Sequence, residues 1–389
     1  MRKALVRSPM RRLSVLTAIG CLVAAAVLSL CQQSQAPLET PPAPAATARK
    51  LPNIGQIEAI LESPKKALEK AMLDPIDFAW LAFMDVNWPA LGTVRGKPDL
   101  NKPFGGPGVV VWQTWKTSQN LYLPPGQTPI PWSQGPIYQQ PALQSAMIDG
   151  KVLTDNNGNP VMYEVRESED TFNYIIERNL YTQAGQLKLL QGGLPVTFPE
   201  PAMEIKASWR FLGSGDDASH YLTATVSYQG VVRVVGLSGL HITSKSLPDW
   251  FWCTFEQIEN SKTTPVKLVL PIAPEVQKVN QGMQAAFRGT KWAYYRLDGV
   301  QTAYANNPDA ANCIVNAKDS CLANSQIETY FQGSSSCITC HALASIGPGG
   351  KRYSLWSFRG GNQQGHMGSP PPLKQDVPLD FVWSMREAQ

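Results

Sequence analysis

Cys337-Ile338-Thr339-Cys340-His341 constrains this chain more than any other stretch. Two thiols with two residues between them fall on one side of a single helical turn, and an imidazole follows directly. With 7 Cys and 4 His in 389 residues, chance would place this pattern in about one such chain in a thousand, so composition does not explain it. Three chemistries use thiols at this spacing. Half of a zinc site would need two further ligands at a usable distance. Cys313 and Cys321, with seven residues between them, fit no familiar knuckle. A thiol–disulfide redox pair normally opens a βαβ domain, whereas only 48 residues follow His341. The third is covalent haem attachment, for which C-x-x-C-H is the signature. Each thiol adds across a porphyrin vinyl group to form a thioether, and the neighbouring imidazole ligates iron. The spacing favours this third chemistry: one covalent haem c held by Cys337 and Cys340, with His341 as the proximal iron ligand.

The N-terminus agrees on compartment. Arg2, Lys3, Arg7, Arg11 and Arg12 precede an apolar stretch from Leu13 to Leu30, and Ser34-Gln35-Ala36 is an acceptable cleavage site. Residues 1–36 are therefore expected to be an export signal. Leu28-Ser29-Leu30-Cys31 resembles a lipoprotein processing box, which makes Cys31 a candidate lipid-attachment site and would tether the chain to a membrane. A small residue is expected where Leu30 stands, and Arg11-Arg12 lacks the flanks of a twin-arginine signal. Export suits haem attachment, which in bacteria takes place outside the inner membrane, where disulfides also persist. Removing 1–36 takes away five basic residues and no acidic ones, leaving 29 basic against 30 acidic. No basic stripe then suggests nucleic acid. Five cysteines remain. Two would carry haem, Cys313 and Cys321 could pair within one loop, and Cys253 reads as a buried inert thiol.

Residues 37–52 are Pro/Ala-rich and read as an extended tether. Helices are expected after Ser63-Pro64 and after Asp74-Pro75. From about 109 the pattern turns to strand. Val109 to Trp112 is a short apolar run, and Thr154 to Asn159 is turn chemistry between Val152-Leu153 and Val161-Met162-Tyr163. The clearest strand is 203–211, where Met203, Ile205, Ala207, Trp209 and Phe211 alternate with Glu204, Lys206, Ser208 and Arg210. Period two with a polar side predicts a sheet packed on one face and wet on the other. Residues 221–228 and 231–243 continue in β-branched and aromatic residues. The expectation is α+β: a mainly antiparallel β domain over 53–305 and a small helical haem domain over 306–389.

The haem segment, in feature order, resembles a shortened class I cytochrome c. The matching items are a helix over 324–332, then Cys337, Cys340 and His341, Gly347-Pro348, Met367, and a terminal helix over 380–387. The resemblance implies that the Pro348 carbonyl accepts the proximal imidazole N–H and that Met367 is the distal iron ligand. His366, Met385, a β-domain residue such as His241, or no protein ligand remain open alternatives. Because the segment is shorter than that family's norm, the β domain would have to cover part of the haem.

Over its whole mature length the chain also resembles a group of secreted bacterial proteins described only as cytochrome c family. FAWLAFMDVNWPA (78–90), VWQTWK (111–116), EIKASWRFL (204–212), VGLSGLHITSK (235–245), WFWCTFEQIEN (250–260), YYRLDGVQ (294–301), NSQIETY (324–330) and SSSCITCHALA (334–344) carry that resemblance in order. It implies a β-rich domain fused to a C-terminal monohaem segment, and it supplies no reaction.

Other constellations are weaker. Trp80, Trp88, Trp112, Trp115, Trp250 and Trp252 invite a carbohydrate platform, but aromatic residues also fill β-domain cores, the reading preferred here. His241 lies in an apolar run and reads as a hydrogen-bonded core histidine. Glu256 and Glu259 could be paired carboxylates only if they faced each other across a cleft. No G-x-S-x-G, phosphate loop or H-E-x-x-H is present. The functional expectation is an exported one-electron carrier that docks a redox partner protein. A haem peroxidase, a small-substrate oxidase or a haem-based sensor, each with an open distal site, is the alternative.

Overall fold

Three helices open the fold, and their starts are written in the sequence. Asn53 and Gln56 form a reciprocal capping box at the start of α1 (Ile54–Leu61). Helices α2 (Pro64–Leu73) and α3 (Pro75–Val86) each begin on a proline, whose missing N–H would be unpaired there in any case. In the computed structural model the described residues are 47–145, 147–148, 151–155, 157–263, 270–303, 321–328, 332, 335–352 and 376–389.

An eight-stranded antiparallel sheet follows: β1 (Lys116–Thr117), β2 (Gln144–Ser145), β3 (Met162–Glu167), β4 (Met203–Phe211), β5 (Thr223–Tyr228), β6 (Val231–Ser244), β7 (Phe251–Gln257) and β8 (Tyr295–Gln301). Its spatial order is β1-β3-β4-β6-β7-β8, with β2 also on β3 and β5 also on β6. The α+β class read from the pattern is the class observed. Helices α4 (Glu169–Glu177), α5 (Gln183–Gly192) and α6 (Pro274–Ala286) complete the framework.

The apolar side chains of β4, β6 and β7 pack on α3 through a lattice of aromatic rings. Phe78 meets Phe251 at 4.7 Å, Trp80 meets Phe255 at 4.9 Å, and Phe83 meets Phe255 at 4.3 Å and Trp292 at 5.5 Å. The six tryptophans considered for a platform are all buried, which is the core assignment. The run Val109–Trp112 is no strand. Val111–Thr114 is a 3-10 turn, because the Gln113 side chain accepts the Val110 N–H at 3.1 Å and gives the backbone a local partner in place of a ladder.

The other expected departure concerns β4. Its polar side is not wet: Glu204, Ser208 and Arg210 are buried, and only Lys206 is half-exposed. Glu204 is covered by Ser384 of the C-terminal part of the chain, and Arg210 by Asp216 and Tyr221. Residues 47–389 form one compact unit, and Leu322, Ile338, Ile346, Leu379 and Met385 share one continuous core with Trp80 and Phe255. The expected 305/306 boundary lies outside the described residues.

Two expected helices do not form over the described residues. Residues 325–327 are a turn, because the Asn324 carboxamide accepts the N–H of both Gln326 and Ile327 at 2.9 Å. Over 380–387 the chain makes only a 3-10 turn, Trp383–Glu387. Asp380 and Phe381 have φ of 46° and 67°, which no right-handed helix allows. Among the described residues after 306, α-helix is confined to α7 (Cys337–His341). No described helix is long and apolar enough to cross a membrane.

Candidate functional site

The covered face of the sheet is built in rows, because paired antiparallel residues point to one side. Glu204, Thr243, Trp252 and Gln301 form one row across β4, β6, β7 and β8. Lys206, His241, Thr254 and Gly299 form the next, and Ser208, Gly239, Glu256 and Arg296 the third. The described parts of the segment, 322–328 and 335–346, lie over these rows. Two glycines admit them. A Cβ on Gly239 would stand 2.8 Å from the Asn324 Nδ2, and one on Gly299 would stand 3.0 Å from Leu322 Cδ1. An added methyl at Gly239 would force the Asn324 side chain to shift, and one at Gly299 would crowd the Leu322 side chain.

Each turn of the segment finds a partner below it. Asn324 Nδ2 donates to Thr254 Oγ1 at 3.0 Å and to His241 Nε2 at 3.1 Å. The Glu256 carboxylate accepts the Ser325 N–H at 3.1 Å and the Ser325 hydroxyl. Gln301 then fixes the start of α7. Its Oε1 accepts the Ile338 N–H at 3.2 Å, and its Nε2 donates at 3.2 Å to Ser336 Oγ, the residue that caps the helix. The motif helix is thus anchored at its N-terminus by a side chain from the last sheet strand.

His341, at the far end of α7, is held on two sides. Its ring lies 4.6 Å from the Trp252 ring and 6.1 Å from that of Trp383. Its Nδ1 is 2.8 Å from the Phe381 carbonyl oxygen. A carbonyl only accepts, so Nδ1 carries the proton and Nε2 keeps its lone pair. Burial pushes the imidazole down to about 4, so it is neutral at neutral pH. The carbonyl is aimed by the left-handed turn at Asp380 and Phe381. That turn is pinned by the Asp380 carboxylate, which accepts from Lys245 Nζ and from the Phe198 N–H, each at 2.7 Å. A bulky residue at positive φ is strained, and here the strain directs an oxygen at an imidazole.

Neither Cys337 nor Cys340 is in a disulfide. Burial pushes the Cys337 thiol well above its usual range, the reverse of the activation that a thiol–disulfide pair requires. Among the described residues no three His, Cys, Asp or Glu side chains converge as a metal ion would need. What is present is two sulfurs one turn apart and an imidazole whose Nδ1–H is anchored while Nε2 can ligate. That donor set fits a c-type haem.

The acceptor on His341 was expected to be Pro348. It is Phe381, because the chain pair β9 (Ser345–Ile346) and β10 (Val377–Pro378) carries the C-terminal strap back past α7, with the Leu379 N–H on the Ala344 carbonyl at 2.8 Å. Pro348 instead opens an exposed 3-10 turn. Met367 and His366 lie outside the described residues, as do Cys313, Cys31 and the export signal. Cys321 is disulfide-bonded. Met385 is fully buried in the core. His241 is a buried, hydrogen-bonded histidine, kept well below its ordinary range by burial, with Glu328 at 3.6 Å. Burial raises Glu328 to about 7. Cys253 is buried, its thiol pushed up by burial and donating to the Ile242 carbonyl at 3.5 Å. Glu256 and Glu259 are not a pair, since Glu259 turns to Lys262 at 2.8 Å and His220 at 3.3 Å.

Trp252, Gln301, Asn324 and Phe381 escaped sequence reasoning. For Trp252 a signal existed: in WFWCTFEQ, Trp252, Thr254 and Glu256 alternate with Phe251, Cys253 and Phe255 and so share one face. For Phe381 there was none, because a main-chain carbonyl has no side-chain signature. Comparison with protein-family models, with curated proteins and with solved structures finds no match to this chain.

Proposed function

We propose that this chain is an exported c-type cytochrome with one haem, passing single electrons in the periplasm or at the cell surface to a partner protein. The observation that carries the reading is the anchored imidazole: Nδ1–H of His341 on the Phe381 carbonyl at 2.8 Å, beside two thiols on the same helix. Cys337 and Cys340 hold the porphyrin through thioethers. The Phe381 carbonyl fixes the tautomer and the ring plane and raises the basicity of Nε2. Trp252 and Trp383 flank the ring on the protein side. The haem, when bound, supplies a one-electron couple whose potential follows the sixth ligand.

Met367 is the proposed sixth ligand, with His366 as the alternative. The shortened cytochrome c-like organisation of 306–389, the kinship with secreted cytochrome c family proteins, and export through residues 1–36 with or without lipid on Cys31 belong to the same proposal. The optical spectrum of reduced mature protein, made in a host that attaches haem c, tests it. A low-spin spectrum with the weak Met–iron band supports electron transfer, and Met367→Ala converts it to high spin. An unchanged spectrum in that variant removes Met367 and directs attention to His366. A high-spin wild type that shifts with CO or peroxide replaces the carrier by an enzyme or sensor. Colourless protein without the added mass of a haem ends the proposal.

A further inference from the structure

A cleft of about 610 Å³ opens beside the C-terminal strap, lined by Gln119, Tyr122, Gln144, Tyr163, Trp383 and Arg386 among others. Its lining combines three aromatic rings with polar side chains that include the Glu387 carboxyl. The Arg386 guanidinium stacks on the Trp383 ring at 4.3 Å, and its buried Nε has no hydrogen-bonding partner among the described residues. Tyr163 donates to Gln144 Oε1 at 3.0 Å.

The floor of the cleft connects inward. Tyr122 Oη lies 3.4 Å from Ser384 Oγ, and Ser384 Oγ donates to Glu204 Oε2 at 2.6 Å. Glu204 stands directly opposite Glu167 across β3 and β4. Glu167 is fully buried, and neither of its oxygens meets a donor among the described residues. Two carboxyls so placed repel unless one proton lies between them. The cleft is therefore joined by two hydroxyls to a buried carboxyl pair. Through the indole of Trp383, one residue from Ser384, it also adjoins the His341 ring at 6.1 Å.

We propose that this cleft binds a small planar hydroxylated aromatic of the hydroquinone or catechol class, its ring against Trp383 and Tyr163 and its hydroxyl on Tyr122. The ligand O–H donates to Tyr122 Oη, Tyr122 to Ser384 Oγ, and Ser384 to Glu204, so every hydroxyl in the line is both donor and acceptor. The Arg386 side chain lines the same cleft, with its guanidinium on the Trp383 ring. The choice of a redox-active aromatic rests on the electron-carrying role proposed above. The cleft and its hydroxyl line do not.

Isothermal titration of the full mature protein with 1,4-hydroquinone, 1,4-dimethoxybenzene and methyl glucoside tests the proposal. Hydroquinone binds at one site. The dimethyl ether, which has no O–H to give, binds about tenfold more weakly, the loss of one hydrogen bond. The glucoside does not bind. Tyr122→Phe weakens hydroquinone by about the same factor and leaves the ether unchanged. Absent hydroquinone binding, equal binding of the ether, or tighter binding of the glucoside overturns the assignment. The same titration on Cys337→Ala/Cys340→Ala protein separates the two proposals. Binding there, with no haem attached to the wild type, defeats the cytochrome reading alone. No binding to a wild type that carries haem defeats the cleft alone.

Discussion

The two faces of the central sheet are sealed in different ways. Under α3 the seal is area: Phe78, Trp80 and Phe83 interlock with Phe251 and Phe255, and any apolar group of similar volume would serve. Under the motif segment the seal is a set of directional bonds, Asn324 on Thr254 and His241, Ser325 on Glu256, Ile338 and Ser336 on Gln301. Burial of these named groups on the second face is offset by those bonds. The first face therefore supplies stability and the second supplies position. The difference teaches where a mutation should unfold the chain and where it should merely release the haem segment.

The sharpest break comes at the motif itself. On the proposed function, Cys337→Ala/Cys340→Ala removes covalent haem completely, read as loss of the added mass and of absorption, while the urea transition set by the α3 face persists. A simultaneous collapse of that transition would erase the distinction between the faces. Next comes Phe83→Ala. It deletes a fully buried ring that touches Trp80, Phe255 and Trp292, so equilibrium unfolding should show a loss of about 3–5 kcal/mol.

The third prediction concerns pH on the bonded face. Glu328 is raised from 4.5 to about 7 by burial. Below pH 4.5 folded and unfolded chains both hold its proton, and between 4.5 and about 7 only the folded chain does. Its contribution to stability is therefore lost as pH rises through that window, by up to about 1.4 kcal/mol per pH unit. His241, depressed by burial, acts with the opposite sign up to its ordinary 6.5, so the wild-type curve alone is ambiguous. Glu328→Gln isolates the carboxyl. Relative to wild type, the variant should gain roughly 3 kcal/mol between pH 4.5 and 7, and parallel stability curves would show that Glu328 titrates normally.

How much of this was legible follows the same division. The α3 face could be read because apolar period and proline-led helix starts are local signals: Pro64, Pro75 and the 203–211 alternation lie where they were expected. Cys337, Cys340 and His341 could be singled out because they are near neighbours in sequence, and their haem-binding role belongs to the proposal. The bonded face was misread as wet because polarity in one strand does not say what covers it. Only the register of β4, β6, β7 and β8 brings Glu204, Thr243, Trp252 and Gln301 into one row. The terminal helix was misread because 380–387 has helical composition, while Lys245 and Phe198, far away in sequence, hold Asp380 in a left-handed turn.

The smallest effect is the most discriminating. Gln301 spans the gap between sheet and motif, accepting from Ile338 N–H and donating to Ser336 Oγ. Gln301→Ala leaves the apolar face untouched and strands the buried Ile338 N–H, while the Ser336 hydroxyl keeps Thr339 as its partner. The global cost should be about 1–2 kcal/mol. Amide hydrogen exchange should quicken selectively over 336–341, while the strands facing α3 keep their protection. If protection falls uniformly along the chain, position and stability are not divided between the faces as the bonding suggests, and the motif helix is an integral part of the core. If it falls only at α7, the bonded face is a cradle that can open without the fold.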